Sequence, residues 1–181
     1  MGIPVFLSYP KPHLSPQAEF IGIISDYLAN RGIDVRTLGV TDYDTDAPLK
    51  AIRRLMMESN GIITIAFRRL HLANATSRRD ADIADVFSTV IEDQWVTSPW
   101  CHIEPAMGFQ LGLPTLILRE EGVIAEGVLE NGILGTYMPE FSLDESAEEY
   151  LASKEWHSLV GKWEGQVRAV VEAKGNPPKL Y

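Results

Sequence analysis

Three short apolar runs constrain this chain more than anything else in it. They are Pro4-Val5-Phe6-Leu7-Ser8-Tyr9-Pro10, Ile33 to Leu38, and Ile62-Ile63-Thr64-Ile65-Ala66-Phe67. Each is the length of a strand, and the first and third lack the polar alternation of a half-exposed strand. Between them lie segments with helical spacing. Ser15-Pro16 signals a helix start, and Phe20, Ile23, Ile24, Tyr27 and Leu28 follow up to Asn30-Arg31-Gly32. Pro48 opens a second helix, with Leu49, Ile52, Leu55 and Met56 facing inward, ending near Ser59-Asn60-Gly61. Strand and helix in strict alternation predict an α/β domain with a mostly parallel sheet covered on both sides. Ligands of such sheets bind outside the carboxyl ends of the strands, which brings together the loops after Tyr9, Leu38 and Phe67.

The second half of the chain is less regular. Arg68 to Val96 is a long connection, with Arg68, Arg69, Arg78 and Arg79 near its start and a helix expected from about Ala81 to Ile91. Ser98-Pro99 then repeats the cap-plus-proline signal. Ile103, Met107 and Leu111 mark a buried stripe on the helix that follows, Gly112 closes it and Pro114 forbids its continuation. Glu104 falls on the second turn, with Trp100 one turn before it on the same face. Thr115 to Leu118 reads as a fourth strand, Glu120 to Asn131 as polar with a short helix, and Ile133 to Tyr137 as a fifth, shorter strand. A last helix is expected over about 146–174, with Trp156, Leu159, Trp163, Val167, Val170 and Val171 as its apolar positions. No linker divides the 181 residues, so a single domain is expected over 1–181, with an inserted region at about 68–97.

Composition narrows the function classes. The net charge of −9 argues against general nucleic-acid or anionic-membrane binding. Cys101 is the one cysteine, which excludes an internal disulfide framework and a multi-cysteine zinc site. No signal-peptide pattern and no apolar run near membrane-spanning length is present, which predicts a cytoplasmic protein. No Walker or G-x-G-x-x-G loop is present, which argues against a P-loop NTPase or a hydride-transfer enzyme.

With these elements in place, the chain resembles a bacterial stand-alone TIR (Toll/interleukin-1 receptor) domain. Phe6-Leu7-Ser8-Tyr9 looks like the family's first-strand box. Ser59 with the Ile62–Phe67 strand looks like its third-strand region. Ser98-x-Trp100-Cys101-x-x-Glu104 looks like its Ser-x-Trp-Cys-x-x-Glu segment, with the spacing intact. The resemblance covers roughly residues 3 to 140. It implies a flavodoxin-like three-layer α/β/α fold with a five-stranded sheet. In the family's enzymatic branch it implies cleavage of the nicotinamide–ribose bond of NAD as substrate, by hydrolysis or cyclisation, in some members in antiphage defence. Glu104 falls on the glutamate which that branch requires. Assembly through TIR–TIR contacts is implied as well. The chain departs from the family in the loop after the second strand, where Thr41 to Pro48 replaces the Arg-Asp-x-x-Pro-Gly pattern, and in the length of Arg68–Val96.

A second family is similar. Nucleoside 2-deoxyribosyltransferases and related nucleotide N-glycosidases share the strand order and carry a glutamate on a helix. Glu104-Pro105-Ala106-Met107-Gly108 and Leu113-Pro114-Thr115-Leu116 loosely echo their pattern, although Val96 to Trp100 stands where an Asp-Ser-Gly-Thr-type turn is expected. A third reading is a catalytically silent interaction module.

Both enzyme families break an N-glycosidic bond, and a carboxylate suits an oxocarbenium-like transition state. Nicotinamide leaves NAD without needing a proton, so a lone Glu104 suffices there. Nucleoside cleavage would call on a second acid, for which Asp42, Asp44, Asp93 or His102 are the candidates. The expected site is therefore Glu104 as catalytic residue, with Ser8, Tyr9, Trp100, Tyr43 and Arg68 contacting substrate. No metal and no cofactor is expected. Each residue also has an ordinary reading. A mid-helix Glu is commonly solvated, Trp100 could simply pack, Ser8 and Tyr9 could simply end a strand, and the arginines could form a solvated loop. Asp42, Asp44 and Asp46 suit a turn, and Cys101 a small buried hydrophobe.

Overall fold

The computed structural model describes residues 2–134 and 139–173. Its centre is a five-stranded parallel sheet of β1 (Ile3–Ser8), β2 (Ile33–Arg36), β3 (Ile62–Ala66), β6 (Thr115–Glu120) and β7 (Glu140–Phe141), in the order β2-β1-β3-β6-β7. Between β3 and β6 the chain also forms β4 (Leu70–Ser77) and β5 (Thr89–Val96). The helices are α1 (Ser15–Ala29), α2 (Pro48–Met57), α3 (Trp100–Gln110), α4 (Ala147–Ala152) and α5 (Lys154–Glu172).

Side-chain alternation sorts the strands into two faces. Val5, Leu7, Ile63, Ile65, Leu116 and Leu118 pack with Phe20, Ile24 and Leu28 of α1 and with Trp156, Val160, Trp163 and Val167 of α5. Phe6 and Ile62 pack with Ile52, Leu55 and Met56 of α2, and Ala66 and Ile117 pack with Cys101 of α3. This is the three-layer, flavodoxin-like α/β/α arrangement, with β3 buried throughout. Stacked Phe20 and Phe141 (ring centroids 4.4 Å apart) tie α1 to the edge strand. Trp163 Nε1 donates to the Pro114 carbonyl oxygen at 3.1 Å, fixing α5 beside the start of β6.

Several sequence expectations change. The helix expected over Ala81–Ile91 is absent. β4 and β5 pair instead as an antiparallel hairpin, from Leu70↔Val96 to Ser77↔Thr89, and Arg78, Asp80 and Asp85 turn its tip with left-handed backbone. Thr, Val, Ile and Trp in β5 are strand formers, and pairing with β4 overrides the helical spacing. The last helix is two helices, because Ser153 caps α5 by accepting from Trp156 N–H at 3.1 Å and so breaks the chain after α4. Ile133 and Leu134 lie in a turn, 135–137 fall outside the described residues, and Glu140–Phe141 supplies the fifth strand. Leu49 and Val171 are exposed; Ala51 takes the inward place expected of Leu49. The N-terminus of α1 is capped by Gln17, whose side-chain oxygen accepts from Leu14 N–H, and not by Ser15, which is itself helical. No helix among the described residues is long and apolar enough to cross a membrane.

Candidate active site

The helix carrying Glu104 is delimited as its sequence implies. Pro99 has helical dihedrals, and Ser98 Oγ accepts from Trp100 N–H at 3.3 Å. At the other end Gly112 has φ +75°, with Leu113 N–H donating to Gly108 O and Gly112 N–H to Phe109 O. This is a Schellman closure, which needs a residue free to be left-handed. The buried face is not the expected one. Cys101, Glu104, Pro105 and Gly108 face the sheet, Met107 and Leu111 are partly buried, and Ile103 is 39% exposed. Gly108 decides this rotation. A Cβ there would lie 2.9 Å from Ile62 Cγ2, so only glycine lets α3 sit this close to β3. The close approach carries Glu104 inward with it, to 8% exposure.

Glu104 reaches the carboxyl end of the sheet. Ser8, the last residue of β1, donates its hydroxyl hydrogen bond to Glu104 Oε2 in a buried position. Burial raises the Glu104 carboxyl to about 7, and the Ser8 hydrogen bond opposes that rise. A cleft of about 440 Å³ opens above this pair, a volume suited to a small ligand. Tyr9, Lys11, Thr37, Arg69, Ser98 and Trp100 are among its lining residues, and Glu104 is the acidic one among the described residues. Trp100 is 38% exposed, presenting ring surface to the cleft mouth. Burial raises the Tyr9 phenol above its ordinary value, against a lowering hydrogen bond with Thr37. Thr37 Oγ1 in turn donates to the Leu7 carbonyl oxygen at 2.9 Å, holding the β2 loop against β1.

Of the sequence candidates, Ser8, Tyr9, Trp100 and Glu104 therefore converge on one cleft. Tyr43 and Arg68 do not line it. Tyr43 is 80% exposed. Its neighbours on either side are drawn inward, Asp42 to Arg36 at 2.5 Å and Asp44 to Arg54 at 2.8 Å, which turns Tyr43 outward. Arg68 is engaged on the β6 side. Its backbone N–H donates to Glu120 Oε2 at 2.7 Å and its Nε to the Glu121 carbonyl oxygen at 2.6 Å. The next residue, Arg69, lines the cleft in its place. Arg78 and Arg79 sit at the tip of the hairpin. Of the second acids considered, none lines the cleft: Asp42 and Asp44 are paired, Asp93 bonds His71 at 2.8 Å on the hairpin, and His102 lies beside Gly127. Cys101 is buried, and burial pushes its thiol up to about 12, which leaves it a packing residue.

Lys11 and Thr37 were not singled out from sequence. Their place directly after β1 and β2, at the carboxyl edge, is the signal that could have found them.

No protein-family model matches the chain, and no curated protein matches it. Solved structures do. A Clostridium botulinum CMP N-glycosidase, BcmB, aligns over 82% of this chain and 94% of its own, at 17% identity and TM-score 0.48. The TIR domains of the activated Roq1 resistosome, which recognises the pathogen effector XopQ, align over 66% of this chain and 58% of theirs, at 14% identity and TM-score 0.40. These are the two kinds of protein that the sequence resembles.

Proposed function

We propose that the protein is an enzyme that cleaves the N-glycosidic bond of a nucleotide, with the nicotinamide–ribose bond of NAD as its target. One observation carries this reading: Glu104 is a mostly buried carboxylate held by Ser8 on the floor of a nucleotide-sized cleft, without a second acid among the described lining residues. N-glycoside cleavage builds positive charge on the ribose. A carboxylate in a low-dielectric site stabilises that charge more than water would. The C1′–N bond breaks with its electron pair going to nicotinamide, which departs neutral and needs no proton. Water then adds at C1′ and loses a proton to solvent, or an internal nucleophile of the substrate closes a ring. Lys11 and Arg69 supply positive charge for a pyrophosphate, and Tyr9 and Trp100 supply ring surface for a base.

A second reading is favoured by one fact. A Glu104 carboxyl at about 7 is half protonated near neutrality, so it could lend a proton to the neutral base of a nucleoside monophosphate. Product analysis by chromatography and mass spectrometry separates the two. Wild type and Glu104→Gln are incubated at high protein concentration with NAD and with a panel of nucleoside monophosphates. Nicotinamide release by wild type alone supports the first reading, and the companion mass distinguishes hydrolysis from cyclisation. Free base from a monophosphate, with NAD intact, moves the protein to the second. Full activity in Glu104→Gln overturns both. Concentration-dependent self-association without turnover of any substrate would make the protein an interaction module.

A further inference from the structure

Gln17 is a buried amide that no reading of the sequence singled out. It is the third residue of α1 and only 1% exposed. Its Oε1 accepts from two backbone N–H groups, His13 at 3.0 Å and Leu14 at 3.3 Å. Its Nε2 donates to the Arg68 carbonyl oxygen at 3.2 Å. The first two bonds fold the loop between β1 and α1, which carries Lys11. The third fixes the peptide that leads into Arg69. Among the described residues Lys11 and Arg69 are the two cations lining the Glu104 cleft, and they come from segments 58 residues apart in sequence, 69 less 11.

From the other side, Glu120 Oε2 accepts from the Arg68 N–H at 2.7 Å. Both polar atoms of the Arg68 backbone are thus engaged by buried side chains, Gln17 on its C=O and Glu120 on its N–H. A free loop would satisfy these atoms with water. An amide with three of its four hydrogen-bonding positions spent on two different loops, at almost no exposure, specifies geometry.

We infer that Gln17 is a positioning residue that sets the spacing of Lys11 and Arg69, and so fixes where the anionic group of a ligand sits relative to Glu104. This deepens the proposed function and rests on its placement of the ligand's phosphate at these two cations. Gln17 touches neither the cleft nor the reacting atoms. Its effect is on how well an anion is held, and the chemistry at Glu104 is left alone.

The test uses inorganic pyrophosphate as probe, measured by calorimetry, which needs no turnover. Gln17→Met keeps the shape and removes all three bonds. Gln17→Glu keeps the two acceptor bonds and, ionised, loses the donor to Arg68. Lys11→Ala and Arg69→Ala mark the effect of losing each cation outright. The expected result is pyrophosphate binding weakened about tenfold in Gln17→Met and by a smaller factor in Gln17→Glu. Where substrate turns over, KM rises by a similar factor, kcat stays within about threefold, and the pH profile is unchanged. Wild-type affinity in both variants, or no binding of pyrophosphate to wild type, overturns the inference. So does a loss of kcat at constant KM. If Gln17→Met does not fold by circular dichroism, Gln17→Glu decides alone. Gln17-dependent binding without turnover of any substrate would uphold the positioning role and defeat the proposed reaction.

Discussion

Ser8 Oγ donates a buried hydrogen bond to Glu104 Oε2, joining the last residue of β1 to the second turn of α3 across 96 positions of sequence. The bond has two consequences. It orients a carboxylate that would otherwise rotate in its pocket, and it restrains the rise of that carboxylate's pKa.

Removing the carboxylate removes the chemistry. Glu104→Gln is expected to lower turnover by about a thousandfold or more, the scale at which a single transition-state electrostatic contact acts. Its circular dichroism should match wild type. Ser8→Ala should lower kcat by about tenfold. It should also move the midpoint of the pH–rate profile upward by about one unit, because the opposing hydrogen bond is gone. A Ser8→Ala profile superimposable on wild type would separate the two residues functionally.

Stability should depend on pH through Glu104. Its folded carboxyl titrates at about 7, against an ordinary value of 4.5. Between those values the folded state keeps a proton that the unfolded state has lost. Stability from this group is therefore full at pH 4 and below, falls as pH rises through the window, and stays lower above it. Glu104→Gln lacks this titration. Thermal melts should show it more stable than wild type at pH 8 than at pH 5, by up to about 3 kcal/mol. An equal difference at both pH values would mean that Glu104 is not buried as described.

The direction of the catalytic pH dependence decides between the two enzyme readings. With NAD, activity should rise with pH through about 7, because the ionised carboxylate acts. With a nucleoside monophosphate, it should fall over the same range, because the protonated form acts.

One arginine and three aromatic residues give contrasting controls. Arg69→Ala should raise KM about tenfold, as a lost charge-assisted contact to phosphate does. Tyr43→Ala should leave KM within about twofold, since Tyr43 points to solvent. Trp100→Ala should raise KM with less than about 1 kcal/mol lost in chemical denaturation, its ring being part-exposed. Trp156→Ala, at 0% exposure in the main core, should cost about 3–5 kcal/mol.

Local signals carried most of the architecture. The apolar runs at Val5–Leu7 and Ile62–Phe67 are β1 and β3, and their lack of alternation foretold burial on both faces. Ser98-Pro99 and Gly112 bound α3 because capping and left-handed backbone depend on a few adjacent residues. The β4–β5 hairpin was missed because its stability lies in cross-strand pairing, which helical spacing in one segment cannot reveal. The buried face of α3 was missed for a similar reason. Ile103, Met107 and Leu111 form an apolar row, but Gly108 against Ile62 sets the rotation, and the row lies to one side.

By itself, then, the sequence determined the alternation of strands and helices, the limits of α3 and the presence of Glu104 on it, all properties of neighbouring residues. The tertiary structure alone decided that Ser8 meets Glu104, that Arg69 and not Arg68 faces the cleft, and that Gln17 joins the Lys11 and Arg69 loops. These contacts follow from strand register, from the close approach of α3 to β3, and from the competition of Glu120 and Glu121 for Arg68. Each is a relation between segments far apart in the chain, and only packing brings them together.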